Sequence, residues 1–142
     1  MDAIDLKIIE LLKRNGRMTS SDIGKDIHLS VPSVTERIRK LEEKGVIEKF
    51  TVRLNREAAG QRLLAFISVI LERPEHIAGF KKQVLRESSV LECHHLAGDY
   101  DYLVKIGVPD MPALEQFISD IKQWPGVVKT KTTIVLSTVK EE

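Results

Sequence analysis

The sequence predicts an α+β protein in which a winged helix-turn-helix precedes a ferredoxin-like domain of βαββαβ order. Up to residue 45, apolar residues recur at helical spacing, whereas from residue 63 the pattern alternates between strands and helices. Between these parts lies the polar segment NREAAGQR, which contains a central glycine and has the composition of a linker. We therefore expect domains over residues 1–54 and 63–142, joined by a linker over 55–62.

Three short helices are expected in the first domain. The first carries an apolar stripe formed by Ile4, Ile8, Leu11 and Leu12. Thr19 and Asp22 have the spacing of a capping box at the start of the second helix, which buries Ile23 and Ile27. Ser30 is a good N-cap for the third helix, and Pro32 suits its first turn.

The third helix has an apolar face and a polar face. Val34, Ile38 and Leu41 lie on one side, and Gly45 ends the helix. The segment Val46 to Leu54 then alternates like a short β-ribbon. Three helices followed by a ribbon, with a polar face on the third helix, are typical of a winged helix-turn-helix that places this helix in the major groove of DNA.

The candidate DNA contacts are the polar side chains of this helix and the cations of the ribbon. Hydroxyl and basic groups can bind phosphates or guanine, a carboxylate can accept from cytosine, and ribbon cations can follow the phosphate backbone. The set is Ser33, Thr35, Glu36, Arg37, Arg39, Lys40, Lys49 and Arg53. Two alternatives stay open: Glu36 and Lys40 can pair as i, i+4 neighbours on a solvated helix, and Arg37 can pair internally.

In the second domain, the strand Leu63 to Glu72 is apolar on both faces. Helices cover only one face of such a sheet, so the other face predicts a partner, most simply a second copy of the chain; the alternative is a short central strand that is apolar anyway. Helical stripes are expected to bury two sets of side chains, namely Ile77, Phe80, Val84 and Leu85, and then Leu114, Phe117, Ile118 and Ile121.

The stretch HHLAGDYDYLVKI, residues 94–106, concentrates histidines, aspartates and tyrosines around a tight turn at Gly98–Asp99. Strand neighbours point to opposite faces, so at most Cys93 and His95 share a side, and a zinc site would lack a third ligand. We therefore predict no metal and no cofactor. No nucleophile motif, phosphate loop or shaped acid–base site accompanies Asp99 and Asp101, so enzymatic activity is not expected.

The same stretch fits the rim of a small-molecule pocket. Gly98 permits a turn with exposed N–H groups, Asp99 and Asp101 can accept from an ammonium group, and Tyr100 and Tyr102 offer apolar walls with polar tips. The opposite wall is expected on the last strand, at Thr130, Thr132 and Thr133. The alternative is a plain hairpin in which the aspartates only solvate the turn.

Composition limits the class of protein. Of the 142 residues, 42% are hydrophobic and 30% charged, and the net charge is +1. Residues 1–62 hold 13 Lys and Arg against 10 Asp and Glu, a mild excess that suits a polyanionic partner. The longest apolar run is too short to span a bilayer, the start MDAIDLK lacks a secretion signal, and the single cysteine fits a reducing compartment. These features predict a cytoplasmic protein without a membrane partner.

Both halves resemble the Lrp/AsnC (feast/famine) family of prokaryotic regulators. The first half resembles the family's DNA-binding domain, notably in SVTERIRKLEEKGVI, and the second resembles its RAM-type sensing and assembly domain in VLECHHLAGDYDYLVKI and PGVVKTKTTIVL. The resemblance implies a transcription regulator that binds double-stranded DNA and assembles as dimers, commonly to octamers. It also implies that Gly98, Asp99, Tyr100 and Asp101 line an effector site between dimers, with an amino acid as the usual effector.

One alternative remains within this family. Some members act without an effector as architectural proteins that bend or wrap DNA. A second alternative, outside this family, is a small ferredoxin-like enzyme or metal sensor in which the N-terminal helices have no DNA-binding role. In the regulator interpretation, a dimer presents two recognition helices one DNA turn apart, roughly 34–36 Å.

Overall fold

A computed structural model describes residues 1–142, which divide into two compact units over Met1–Arg53 and Leu54–Glu142. The first unit contains three helices: α1 (Ala3–Arg14), α2 (Ser20–Ile27) and α3 (Val31–Glu43). Ile8, Ile23 and Val34 are completely buried at the centre of the unit, one from each helix. The helical spacing in the sequence therefore places one apolar face of each helix in a common core.

The ends of these helices follow from local hydrogen bonds. The Asp2 and Asp5 side chains each accept from the other's backbone N–H, forming a capping box at the start of α1. The Thr19 hydroxyl accepts from the Asp22 N–H at the start of α2, but the return bond of the predicted capping box is not made. Ser30 caps α3 as expected, and Gly45 adopts the left-handed conformation just beyond its end.

The segment after α3 differs from the prediction. Val46 to Leu54 is exposed or half-buried and contains no strand, so a β-ribbon is not formed within the chain. A strand needs a neighbour to pair with its N–H and C=O groups, and the chain turns at residues 56–60 without returning alongside. Phe50, Val52 and Leu54 are consequently more than half exposed.

The second unit is a four-stranded antiparallel sheet with two helices. Its strands are β1 (Leu63–Leu71), β2 (Val90–His95), β3 (Tyr102–Val108) and β4 (Val127–Ile134), in the spatial order β2-β3-β1-β4. A 3₁₀ turn (Pro74–His76) leads into α4 (Ile77–Arg86), and α5 (Met111–Lys122) connects β3 to β4. This βαββαβ arrangement confirms the predicted ferredoxin-like fold.

The two faces of the sheet are unequal. Ala65, Ile67 and Val69 of β1 are completely buried with Val104 and Ile106 of β3 on the side that α4 and α5 cover. The opposite face of β1 contains Leu64, Phe66, Ser68 and Ile70. We call this second side the open face, because no helix packs on it.

One predicted core residue of α4 is not in the core. Phe80 and Val84 are buried, but Leu85 is 87% exposed, so its assignment to the apolar stripe was wrong. Leu85 follows Val84 directly and is therefore rotated by about 100° around the helix, away from the sheet.

The predicted linker has its own structure. Residues 56–60 form a turn in which the Ala59 N–H donates to the Asn55 C=O and the Gln61 N–H donates to the Arg56 C=O. Arg56 also forms an ion pair with Glu141 near the end of the chain. The segment is thus a folded part of the second unit.

Candidate DNA interface and effector site

The outward face of α3 displays the predicted contact residues together. Ser33, Thr35, Glu36, Arg39 and Lys40 are all exposed, whereas Val34 and Leu41 on the opposite face are buried. The Ser33 hydroxyl accepts from that of Ser30, and the Thr35 hydroxyl donates to that of Ser20 on α2. The helix therefore offers hydroxyl, carboxylate and cationic groups along one solvent-facing surface.

The Arg39 guanidinium lies between two carboxylates of the same helix. Its Nε and Nη2 donate to the Glu36 oxygens at 2.9 and 2.6 Å, and its Nη1 donates to Glu43 Oε1. A second cation, the Lys40 ammonium, lies 4.0 Å from Glu36 Oε1. The hydrogen bond from Arg39 lowers the pKa of Glu36, and the same bond raises the pKa of Arg39, so both groups stay charged.

Arg37 has a different role from the one predicted. Its Nη1 lies 2.8 Å from Asp2 Oδ2 and 3.0 Å from Asp5 Oδ1, so the guanidinium joins α3 to the first turn of α1. The hydrogen bond to Asp2 raises the pKa of Arg37. The side chain of Arg37 is 30% exposed, against 51% for that of Arg39, and its partners lie at the start of another helix, so we leave Arg37 out of the DNA-contacting surface.

The two predicted ribbon cations, Lys49 and Arg53, are exposed side chains of the extended segment after α3. A groove of about 360 Å³ beside α3 is lined in part by Ser33, Lys40 and Lys44. Cations thus continue beyond the end of the helix, where a phosphate backbone could run.

The loop between β2 and β3 is wider than the predicted tight turn. β2 ends at His95 and β3 begins at Tyr102, so six residues connect them. The Leu96 N–H donates to the Asp101 C=O at 2.8 Å and closes the loop. Gly98 and Asp99 are exposed at its tip, while the Tyr100 ring is half-buried with the Lys129 ammonium 5.9 Å from its centre.

Asp101 connects this loop to the end of β1. Its Oδ2 accepts from the Leu71 N–H at 2.8 Å, and its own N–H donates to the Val69 C=O at 2.9 Å. The carboxylate of Asp101 therefore binds the backbone of β1 at Leu71, whereas the aspartate of a plain turn would point only to solvent.

Tyr102 belongs to the core and not to the surface of the loop. The residue is only 3% exposed, and its ring lies 4.9 Å from the Phe80 ring. The His95 ring stacks on it at 4.8 Å. Its hydroxyl has no hydrogen-bond partner, and burial raises its pKa. A cavity of about 140 Å³ adjoins Tyr102 and is lined also by Arg73, Ile77, His95 and Asp101.

The three threonines of β4 do not form one wall. Thr130 and Thr132 are paired with Val69 and Ile67, so they lie on the helix-covered side. Thr133 is paired with Phe66 and lies on the open face. Thr132 lines a second cavity of about 360 Å³ between β4 and α5, with Met111, Leu114, Glu115, Ile118 and Ile134.

The Cys-His-His run also alternates between faces. Cys93 is paired with the buried Val104, and burial raises the pKa of its thiol. His94 lies on the open face, where its Nε2 is 3.1 Å from Glu92 Oε1. Glu92 is also 3.1 Å from the Lys105 ammonium. No three His, Cys, Asp or Glu side chains are grouped as metal ligands would be.

Two protein-family models match the chain, one on each unit. Residues 1–48 match a family described as winged helix-turn-helix DNA-binding, and residues 64–142 match the Lrp/AsnC ligand binding domain. The leucine-responsive regulatory protein of Escherichia coli K12 is 35% identical over 144 residues, which cover 99% of this chain and 88% of that protein. The chain belongs to the Lrp/AsnC family.

Solved Lrp/AsnC structures agree with this assignment. A transcriptional regulator from Neisseria meningitidis, solved as its L-Met complex, is 29% identical with a TM-score of 0.94, covering 99% of this chain and 93% of that one. LrpC of B. subtilis is 30% identical with a TM-score of 0.90, covering 100% and 99%. The chain is therefore a transcriptional regulator and not an enzyme. None of its helices has the length and apolar character to cross a membrane.

Three features of this Lrp/AsnC chain were missed from the sequence. Gly24 is buried in α2, where an added Cβ would lie 2.4 Å from the Leu29 carbonyl oxygen. Glu43 contacts Arg39, and the i, i+4 spacing of the two residues on α3 is the signal that could have revealed this pair. The buried hydroxyl of Tyr102 was missed because its burial follows from pairing with Val69 on the helix-covered side of the sheet, and sequence alone does not give that register.

Proposed function

We propose that the first unit binds the major groove of duplex DNA through the outward face of α3. The observation that carries this proposal is the separation of the helix into a buried face, with Val34 and Leu41, and an exposed polar face. Arg39 and Lys40 supply cations to guanine or phosphate, and Ser33 and Thr35 supply hydroxyls. Lys49 and Arg53 contact the flanking backbone without reading sequence.

The test is the double variant Arg39→Ala/Lys40→Ala, measured on a duplex that the protein enriches from a random pool. We expect at least a tenfold loss of affinity at about 100 mM salt, together with a salt slope reduced by about two. Lys81→Ala/Lys82→Ala, which removes two exposed charges from α4, is the matched control. Equal affinity for both double variants would assign DNA binding to another surface.

We further propose that the second unit senses an amino acid through the loop at Gly98, Asp99, Tyr100 and Asp101. The relative from Neisseria meningitidis was solved with L-Met, and other relatives are called leucine-responsive. Exposed loop groups from one dimer would meet the β4–α5 cavity at Thr132 of another, with Thr130 on the same side of the sheet. Thr133 lies on the opposite face, so we leave it out of this wall.

Calorimetry against the twenty amino acids tests this proposal. At least one should release heat, and Gly98→Val should abolish that response because the branched side chain restricts the loop backbone. A Cβ at Gly98 would have no atom within 4 Å, so strain from its φ of +159° should stay within the exposed loop and leave the fold intact. No heat from any amino acid, with DNA binding intact, would favour an effector-independent architectural protein.

The open face supports a homodimer, and dimers could assemble further to an octamer. Phe66 and Ile70 of β1 and Leu103 of β3 lie on this face and are only half-buried. A second sheet would cover these apolar groups. Light scattering tests the proposal: the wild-type chain should have at least twice the 16.1 kDa mass of one copy, and Phe66→Glu should lower it. Leu85→Glu, at an exposed position of α4, should not.

Effector binding would act on DNA by favouring one assembly state over another. In a dimer, two copies of α3 spaced roughly 34–36 Å apart would fit successive major grooves of a near-palindromic site. The protein would act in the cytoplasm, where it meets the chromosome.

A further inference from the structure

Arg39 is the most engaged cation on the outward face of α3. Three of its nitrogens donate to carboxylates, two to Glu36 and one to Glu43. Glu42, the neighbour of Glu43 in sequence, is equally a charged residue at the end of the helix but forms no ion pair with Arg39. Glu43 therefore contacts this guanidinium, whereas Glu42, about 100° further around the helix, does not.

An isolated ion pair on a protein surface is weak, but bidentate pairs and networks of several charges are stronger, and the Arg39 group has both features. A bidentate guanidinium–carboxylate contact and a second carboxylate together form a small network. A DNA phosphate in random register offers Arg39 one comparable partner and is screened by salt. Arg39 therefore gains little binding free energy by exchanging its carboxylates for a phosphate. A guanine edge, in contrast, offers it two aligned acceptors in a less hydrated groove.

We propose that Glu43 is a positioning residue that withholds Arg39 from DNA of arbitrary sequence, so that Arg39 is released only at a specific site. The inference rests on the proposed DNA interface. Glu36 holds the other side of the guanidinium but is itself a candidate for base contact, whereas Glu43 lies about two turns further along the helix. Non-specific binding then depends on the remaining cations of the unit, and Arg39 contributes to recognition alone.

The salt dependence of binding distinguishes a withheld cation from a free one. Each cation that neutralises a phosphate adds about 0.9 to the slope of log affinity against log salt. In Glu43→Gln, Glu36 still accepts from two nitrogens of Arg39, so this variant frees the cation only in part. For a scrambled duplex it should increase the slope by roughly 0.5 to 0.9 and tighten binding by roughly twofold to tenfold at about 50 mM salt. For the enriched duplex the slope should not change, because Arg39 is already released there.

Glu42→Gln is the matched control, since it removes the same charge one residue away. We expect it to leave the scrambled-duplex slope within about 0.3 of the wild-type value, because it frees no cation. Arg39→Ala supplies the second arm: in the wild-type background it should change scrambled-duplex affinity less than twofold, and in the Glu43→Gln background it should reverse the gain. Circular dichroism checks that α3 is retained in each variant.

The outcomes separate this inference from the proposed function. Failure to enrich any duplex would overturn the DNA interface itself. Specific binding with equal effects of Glu42→Gln and Glu43→Gln would show a general charge effect and overturn the role of Glu43. So would a loss of scrambled-duplex affinity on Arg39→Ala that is as large in the wild-type background as in Glu43→Gln.

Discussion

Arg37 Nη1 lies 3.0 and 2.8 Å from the two carboxylate oxygens of Asp2, so one side chain of α3 holds the N-cap of α1. The same Asp2 accepts from the Asp5 N–H in the capping box. These hydrogen bonds, that from Arg37 first, lower the pKa of Asp2 from 3.8 to about 2. Helix capping and helix packing in the first unit therefore depend on one carboxylate.

We expect the first unit to lose stability as the pH falls from about 4 toward 2, the range in which Asp2 is protonated. A carboxyl whose pKa is lowered on folding stabilises the fold above its unfolded pKa, near 4, and this stabilisation is lost as the pH falls toward 2. Asp2→Asn should lower the Tm by about 2 to 5 °C at pH 7. Near pH 2, where about half of the folded-state carboxyl is already protonated, the difference should shrink to a small fraction of that value. Far-UV circular dichroism measures the loss; Trp124 fluorescence, which reports on the second unit, is the control. A difference as large at pH 2 as at pH 7 would contradict the prediction.

Gly24→Ala should destabilise the helix-turn-helix by about 1–3 kcal/mol. The added Cβ would lie 2.4 Å from the Leu29 carbonyl oxygen, which is backbone and cannot rotate away. Gly16→Ala is the control, because its Cβ would meet only an ordinary contact of 3.8 Å. Urea unfolding followed by circular dichroism should rank the two variants. Equal stabilities would contradict the prediction and would mean that the backbone at Leu29 shifts at little cost to accept the added Cβ.

Tyr102→Phe should leave the second unit as stable as the wild type or stabilise it by up to about 1–2 kcal/mol. The buried hydroxyl has no partner, so its removal ends a desolvation cost while the ring keeps its contacts with Phe80. Trp124 fluorescence reports unfolding, since its ring lies 5.8 Å from that of Phe80. A loss above about 1 kcal/mol would indicate a hydrogen bond to this hydroxyl.

Asp101→Ala should cost about 1–2 kcal/mol, because the Leu71 N–H loses its acceptor at the end of β1. Hydrogen exchange should show faster exchange of the Leu71 amide, with no change in the centre of the strand at Ile67. Asp99→Ala, in the exposed tip of the same loop, is the control and should leave both amides unchanged. Slow exchange at Leu71 in Asp101→Ala would mean that another acceptor replaces the carboxylate.

The elements that the sequence predicted correctly are those specified by local signals. Ser30 and Gly45 bound α3 because an N-cap hydroxyl and a left-handed glycine act on adjacent backbone. The faces of β1 followed from strand alternation alone, and the family from its motifs. The order of strands and helices therefore required no tertiary information.

The errors arose where one part of the chain depends on a distant part. A ribbon after α3 needs a pairing strand that this chain does not provide, and alternation at Phe50, Val52 and Leu54 cannot reveal that lack. For Arg37 the sequence left both DNA contact and internal pairing open, because its partners, Asp2 and Asp5, lie more than thirty residues away. The grouping of Thr132 with Thr133 was a different kind of error, because neighbouring residues of a strand point to opposite faces; the register shows only which face each one takes.

The division of α3 into a buried and an exposed side has an evolutionary consequence. Ser33, Thr35 and Glu36 are exposed, so, with the interface proposed above, substitutions there would alter operator preference at a small cost in folding, such as the loss of the Thr35–Ser20 hydrogen bond. Val34 and Leu41 can meanwhile stay fixed. Duplicated copies of such a regulator could thus diverge in their targets by a few exchanges on one helix, while the scaffold that presents them is inherited unchanged.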